Sequence, residues 1–463
     1  MKCRYTLPAV LIAASIQGAS AAAPAAVDAP VHTIAWLNDF SYLADASQRD
    51  TLWEKMRYIP LGDSPQRYLS LGGELRYQYL DMDHAQLGVR PADGNSMLQQ
   101  RIRLSADLHL SRSFRAFVEL GDDREYGAES VTPPNRGELD VQQAFFDATF
   151  KLGKGALTLR PGRFVMPLGS GRIVALREGV NKRYSYQGLR ATYRTDSVRV
   201  DAFSVRPMEL RPGRFDDRGD TSRSFSGVYA SFSPKGAQGI NFDVYGYSVS
   251  REVARYSNVA GPERRNSLGV RMWRKGSPWD YDVEGIYQFG NTNGLSARAW
   301  GAMFDAGYTF GQASLKPRLG LKANAFSGDR DRNDGRLETF SPPSPGAFVY
   351  TDSGFFTMMN LSDISPVVSI QATPTVRVSA NLDVLYRTST KDGIYFLPSS
   401  APYGPVNGSA RHVATNANAV VDWRANRFLN LHFYYTHVDA GEALLQAGGK
   451  DSHYVGLWAQ LLF

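Results

Sequence analysis

The sequence contains little cysteine and no long apolar run. Its single cysteine, Cys3, lies in a basic stretch at the extreme N-terminus, ahead of the first apolar segment. If that stretch is removed, the remaining chain has no thiol, which excludes disulfides, thiolate chemistry and cysteine-ligated zinc. Elsewhere the chain never approaches the roughly 18 consecutive apolar residues of a transmembrane helix, so helical membrane spans are excluded as well.

The N-terminus has the features of a secretory signal peptide. Lys2 and Arg4 precede an apolar run from Leu7 to Ile16, and the residues Ala19-Ser20-Ala21 fit an A-x-A cleavage site. The run is about ten residues long, which is too short to span a bilayer as an uncleaved anchor. We therefore predict a signal peptide over residues 1–23 that is cleaved during secretion.

Apolar and polar residues alternate through most of the remaining chain. In one early stretch Tyr77 and Tyr79 share a face, whereas Arg76 and Gln78 share the opposite face. This period of two indicates a β-strand. Similar stretches recur to give about 18 strands of about ten residues each, the length that a tilted strand needs to cross a bilayer. The sequence therefore predicts an all-β fold, a transmembrane antiparallel up-and-down β-barrel of the outer-membrane type.

The connections and the C-terminus support this prediction. Short links alternate with long ones, and the last residues, HYVGLWAQLLF, alternate up to a terminal Phe463. A soluble β-protein is the alternative, but this ending resembles the C-terminal strand of bacterial outer-membrane barrels, and an even strand number places both termini in the periplasm. We predict a single barrel domain over 66–463, preceded by a periplasmic lead-in over 24–65. A short helix at about 47–57 would pack on or plug the barrel mouth.

Short motifs that imitate other sites lack the residues that those sites need. DRDRNDG at 329–335 imitates a calcium loop, but its glycine falls one place late and the closing glutamate is missing. Ser105, Asp107 and His109 follow one strand and cannot assemble a catalytic relay. No GxxxxGK[ST] loop is present, and a net charge of about +5 without the signal peptide is spread over a large barrel. We predict no catalytic residue, cofactor, metal or nucleic-acid partner.

Several stretches follow one another in the order of a known family. They are YIPLGDSPQRYLSLGGELRYQY, LQQRIRLSADLHL, LDVQQAFFDATF, LRPGRFVMPLGSGRIVALREGVNKRYSYQGLRATY, WDYDVEGIYQFG and RLGLKANAFSGDRDRNDGRLETFSP. These stretches resemble the alginate export family, porins through which alginate leaves Gram-negative cells, over nearly the whole mature chain. Phe164 and Val165 stand where family members usually carry Gln and an acid, and Arg183-Tyr184 stands in place of an Arg-Arg pair. The resemblance implies the barrel fold and leaves the substrate open.

Arginine dominates the cations, with 41 Arg against 11 Lys. A guanidinium matches a carboxylate with two hydrogen bonds, and each sugar of a polyuronate carries a carboxylate. The stretch GSGRIVALREGVNKR, residues 169–183, joins the fifth and sixth strands, and its glycines permit an inward fold that forms a basic constriction. Alternatively it is a surface loop in which Arg177 pairs with Glu178 or with another loop. The predicted substrate-binding residues of the lumen and constriction are Arg76, Arg101, Arg103, Arg160, Arg172, Arg177, Arg183 and Arg190.

These observations predict an outer-membrane porin of a Gram-negative bacterium. It would conduct an anionic polysaccharide or oligosaccharide, with export of an alginate-like polyuronate as the preferred interpretation. Its partners would be that polymer, outer-membrane lipid and a periplasmic secretion complex. An uptake porin for small carboxylates is the first alternative. A barrel enzyme is the second, but the sequence shows neither the Ser-His pair nor the carboxylate pair that it would need.

Overall fold

The computed structural model of the protein describes residues 31–89, 95–128, 134–236, 239–344, 350–396, 402–403 and 408–463. The predicted signal peptide, 1–23, lies outside these residues. Within the described chain, 18 long antiparallel strands close into one barrel, which confirms the predicted fold. The strands are β1 (Tyr68–Met82), β2 (Asn95–His109), β3 (Phe114–Tyr126), β4 (Gly137–Leu152), β5 (Gly155–Phe164), β6 (Tyr186–Arg194), β7 (Val198–Glu209), β8 (Arg223–Phe232), β9 (Asn241–Arg255), β10 (Ala260–Arg274), β11 (Trp279–Thr292), β12 (Leu295–Thr309), β13 (Arg318–Phe326), β14 (Leu361–Thr373), β15 (Val376–Arg387), β16 (His412–Arg424), β17 (Leu429–Ala440) and β18 (Ser452–Leu462).

The strands follow one another around the barrel in chain order. Each pairs antiparallel with the next, and β18 pairs back on β1 in a register that runs from Glu74 opposite Leu462 to Met82 opposite Tyr454. Short turns connect the strands at one end. At the other end most connections are long, such as 165–185 and 327–360, although 256–259 and 293–294 are short there as well. In bacterial outer-membrane barrels the short turns lie in the periplasm. The short-turn end is accordingly the periplasmic end.

Side chains alternate between the lumen and the outer surface, as the sequence pattern predicts. On β1 Arg76 and Gln78 are fully buried inside the barrel, whereas Tyr77 between them is 44% exposed on the outside. On the outer face of β10 Leu268 and Val270 are 58% and 61% exposed. Such an apolar outer wall around a polar interior is the arrangement that a lipid bilayer requires.

No helix among the described residues is long and apolar enough to cross a membrane.

The lead-in forms short helical turns rather than the single helix predicted. Asp45 accepts a hydrogen bond from the backbone of Ser47 and caps a separate 3-10 turn. Thr51 and Glu54 then form a capping box that starts a new helix. Two successive N-caps therefore divide the segment.

Short elements also occur in the lead-in and in the connections between strands. They are the 3-10 turns Ala35–Leu37, Ser41–Ala44, Ala46–Gln48 and Ala85–Gly88, the helices α1 (Leu52–Arg57) and α2 (Glu442–Gln446), and the two-residue strands Ile59–Pro60, Arg218–Gly219 and Arg336–Leu337.

Candidate functional site

The connection between β5 and β6, residues 165–185, folds into the barrel and is called the inserted loop below. Its apolar residues Ile173 and Val174 are buried in a cluster with Phe203 and Phe225 of the inner wall. Gly169 has a φ of +60°, and a Cβ added there would lie 2.5 Å from the hydroxyl of Tyr229. A glycine is therefore needed for this close approach of backbone to wall.

One carboxylate of the inserted loop joins it to the barrel wall. Glu178 Oε1 lies 2.5 Å from Arg101 Nη1, and Glu178 accepts bonds from Arg183 Nε at 2.8 Å and Nη2 at 2.9 Å. Arg76 Nη1 donates to the Glu178 carbonyl at 2.7 Å. Glu74 completes the cluster, because it pairs with Arg101 at 3.0 Å and with Arg183 at 2.6 Å. We call these five residues the arginine clamp.

Electrostatics favour the ionised form of the clamp. Burial alone would raise the pKa of the Glu178 carboxyl, but the neighbouring guanidinium groups of Arg183 and Arg101 outweigh it and hold the pKa well below its usual range. Arg76, Arg101 and Arg183 are at most 1% exposed. Their contacts therefore fasten the inserted loop to β1 and β2.

The two remaining cations predicted in the inserted loop have different surroundings. Arg172 Nη2 reaches the opposite wall at β11, where it lies 2.5 Å from Asp282 Oδ1 and 3.2 Å from Glu284 Oε2. Arg177 has a φ of +59°, and its guanidinium lies 5.6 Å from the ring centre of Tyr184. Among the described residues Arg177 pairs with no carboxylate. The inserted loop thus crosses the lumen from β1 to β11 and is held by ion pairs on both sides.

The predicted lumen arginines outside the clamp also have acidic partners. Arg103 Nη2 lies 2.9 Å from Asp123 Oδ1. Arg160 forms a two-point contact with Asp147, with both N–O distances 2.7 Å. Arg190 Nη2 lies 2.8 Å from Asp201 Oδ1, and Arg199 Nε lies 2.7 Å from Asp201 Oδ2. Arg190 and Arg199 therefore share one carboxylate and leave one positive charge uncompensated.

A cavity of about 640 Å³ and another of about 730 Å³ open near the short-turn end. The larger one, the basic cavity, has two acidic residues, Asp39 and Asp147, on its wall. Its cations are Arg112, Arg115, Arg160, Arg190, Arg194 and Arg199. The smaller one, the mixed cavity, has both charges in similar number and shares no lining residue with the first. Of the predicted site residues, Arg160 and Arg190 thus line the basic cavity. Arg103 lines a separate, much smaller pocket, and the others surround the inserted loop.

Trp36 is a part of the site that sequence reasoning missed. The guanidinium of Arg160 lies 3.9 Å from the centre of its ring, and Phe145 meets the ring edge-on with centroids 5.9 Å apart. Its Nε1 donates to Gln143 Oε1 at 3.0 Å. The lead-in therefore enters the barrel mouth and forms one side of the basic cavity. In the sequence Trp36 and Trp53 both stand ahead of the first strand, and no alternation assigns Trp36 to the lumen.

Comparisons with known proteins agree with this geometry. Residues 67–457 match the family described as alginate export. No curated protein matches the chain. Among solved structures, Pseudomonas aeruginosa OccK5 (OpdH) shares 11% identity over 85% of this chain and 98% of its own, with a TM-score of 0.56. Acinetobacter baumannii OccAB3 shares 11% identity over 85% of this chain and 99% of its own, with a TM-score of 0.58. P. aeruginosa OpdK with vanillate shares 10% identity over 85% of this chain and 98% of its own, with a TM-score of 0.57.

Because their sequence identity to this chain is low, the solved structures show only that the fold is shared. The family is shown by the family match, which covers most of the chain. The family resemblance seen in the sequence is confirmed. This chain therefore belongs to the alginate export family, and it is an outer-membrane β-barrel of the porin type.

Proposed function

We propose that this porin is a passive conduit for an anionic polysaccharide or oligosaccharide, and that it exports an alginate-like polyuronate. The basic cavity at the short-turn end is the observation that carries the proposal, because a polymer leaving the periplasm meets it first. The conduit acts without catalysis and without a cofactor. A concentration gradient or a periplasmic secretion complex supplies the direction, and the first 23 residues are removed during secretion.

The charges of the basic cavity suit a substrate that must bind and then leave. Arg190 and Arg199 share Asp201, and Arg194 forms no ion pair within the described parts of the chain. A uronate carboxylate can accept two hydrogen bonds from such a guanidinium. Because the nearby carboxylates compete for the same cations, each contact is weak enough to release the chain to the next site.

In this proposal the inserted loop narrows the lumen and sets the size of what passes. Arg172 is the loop cation closest to the role of a filter, because its side chain keeps 18% of its surface exposed. Arg76, Arg101 and Arg183 act indirectly by holding the loop, and Arg103 neutralises Asp123 on the wall. Arg177 stacks on Tyr184 and stiffens the loop at its turn.

Uptake of small carboxylates is a second candidate function. It is favoured by the separation of the two cavities, which share no lining residue and are each large enough for a small molecule. Vanillate, the molecule named with the OpdK structure, is itself a carboxylate. Both functions use the same arginines and differ in the length of substrate that can pass.

Planar bilayer recording of the refolded protein tests the proposal. We expect anion-selective single channels that oligo-uronates block in steps. Arg194→Gln together with Arg199→Gln weakens the block several-fold, because two exposed contacts of modest strength are lost. Lys154→Gln is the matched control, since it removes an exposed cation from a turn at the same end of the barrel. Block by monomeric carboxylates but not by oligo-uronates would replace export with uptake, and cation selectivity would refute both.

A further inference from the structure

Two carboxylates lie side by side on the inner wall, on strands that the arginine clamp and Arg172 do not contact. Asp363 on β14 is 7% exposed and Asp383 on β15 is 1% exposed. The two side chains are within hydrogen-bond distance of each other. Adjacent buried negative charges repel strongly, so the pair needs a positive partner or a shared proton.

The protein supplies only part of that compensation. Asn324 Nδ2 donates to the two oxygens of Asp363 at 2.9 and 3.1 Å. Neither oxygen of Asp383 accepts a hydrogen bond from a donor group among the described residues. Lys322 is near enough to act on both carboxylates, yet no ion pair joins it to either one. Two negative charges and one positive charge leave a net charge of −1.

Neutral oxygen atoms without partners surround the pair. Asn416 is the direct cross-strand neighbour of Asp383, is fully buried, and finds no partner for either amide atom among the described residues. The hydroxyl of Tyr350 is also buried without a partner, and its charge interactions are with Asp363 and Asp383. Buried polar groups in proteins are nearly always satisfied, so this group of orphaned oxygens points to a ligand.

We propose that these residues hold a hard cation of the calcium type. Asp363, Asp383, the Asn416 carbonyl and the Tyr350 hydroxyl supply oxygen donors, and water completes the six to eight ligands that Ca²⁺ takes. Tyr350 also lines the mixed cavity, which gives the ion a path from the short-turn end. The site is independent of the proposed function.

The cation would serve two purposes in the barrel. It would neutralise the two carboxylates on the lumen wall, and it would fasten Tyr350, in the long connection 327–360, to β14 and β15. The ligands come from three strands and one connection, so binding would make this part of the lumen wall more rigid.

Isothermal titration of calcium into the EDTA-treated barrel, refolded in detergent without lipopolysaccharide, tests the site. We expect one calcium ion per barrel. Asp383→Asn weakens binding by at least about tenfold, because one of only two carboxylate ligands is lost. Asn416→Ala is a second variant that keeps both charges and also weakens binding. Asp422→Asn is the matched control, since it removes an acid from the wall of the mixed cavity, and it leaves the affinity unchanged.

Heat-modifiable migration on a gel confirms that each variant is folded before titration. Absence of calcium binding by the folded wild-type protein would overturn the proposal. Equal affinity in the wild-type protein and the Asp383→Asn variant would overturn it as well. Stability that depends on pH through Asp383 but never on calcium would show that the pair shares a proton instead.

Discussion

Replacing Glu178 by glutamine should release the inserted loop from the barrel wall. The substitution keeps the shape of the side chain and removes its charge. Arg101 at 2.5 Å and Arg183 at 2.8 and 2.9 Å then lose their shared partner. Glu74 remains paired with both guanidinium groups, so the barrel itself stays folded. The expected effect is local opening of residues 165–185.

The clamp geometry sets the size of the effect. Removing one partner of a buried ion pair costs about 3–5 kcal/mol. Glu178 keeps 28% of its side-chain surface exposed and Glu74 compensates part of the loss, so we expect about 2–4 kcal/mol here. Because each 1.4 kcal/mol is a factor of ten, the open fraction of the loop should rise roughly 30- to 700-fold.

Limited trypsin digestion of the folded protein measures this opening. Lys182 and Arg183 are 2% and 1% exposed, so cleavage after them requires the loop to open and its rate follows the open fraction. Glu338→Gln is the matched control, because Glu338 pairs with an Arg330 that is 77% exposed and such surface pairs contribute about 0–1 kcal/mol. Equal loop cleavage in the wild-type protein and a folded Glu178→Gln variant would refute the clamp.

Three further predictions concern the mouth, a long loop and the outer wall. Trp36→Ala should lower the free energy of unfolding by about 2 kcal/mol, because the ring that stacks on the Arg160 guanidinium is lost. It should also raise single-channel conductance, because that guanidinium is uncovered in the barrel mouth. Unchanged conductance would contradict this. Burial and then the charge of Asp392 raise the pKa of the Asp329 carboxyl to about 6. Protonated Asp329 therefore stabilises the connection 327–360 fully below about pH 4, and this stabilisation is lost as the pH rises through 6. Asp329→Asn should abolish that pH dependence in amide exchange corrected for intrinsic rates, and a persisting dependence would assign it to another group. Leu268→Arg on the lipid face should lower the free energy of unfolding, measured by urea titration in liposomes, by about 2–4 kcal/mol. Leu445→Arg, on the short helix between β17 and β18, should lower it little. Equal losses of stability would contradict the assigned outer wall.

The sequence was sufficient for the barrel because the bilayer imposes a simple rule on every strand. Tyr77 must face lipid and Arg76 must face the lumen, so a period of two reveals both the strand and its orientation. The inward fold of the inserted loop was also foreseen from its glycines. The lead-in helix was predicted too long, because the two N-caps at Asp45 and Thr51 compete within one short segment.

The contacts of the site were harder to foresee. The alternative interpretation, a surface loop, pairs Arg177 with Glu178 or with another loop. In the structure Glu178 instead binds Arg183 and, from 77 residues away in the sequence, Arg101. Periodicity places a residue on a face and says nothing about which distant loop covers it. For the same reason Trp36, in a segment without alternation, could not be assigned to the lumen.

The passage of uronate oligomers of increasing length through the reconstituted porin tests the central claim most directly. Liposomes that contain the purified protein are loaded with labelled oligo-uronates or with neutral oligosaccharides of the same lengths, and efflux is followed for each length. The account predicts that uronate chains longer than the barrel leave the liposomes, whereas neutral chains of equal length are retained. Efflux restricted to monomers and dimers, or equal efflux of charged and neutral chains, would contradict it.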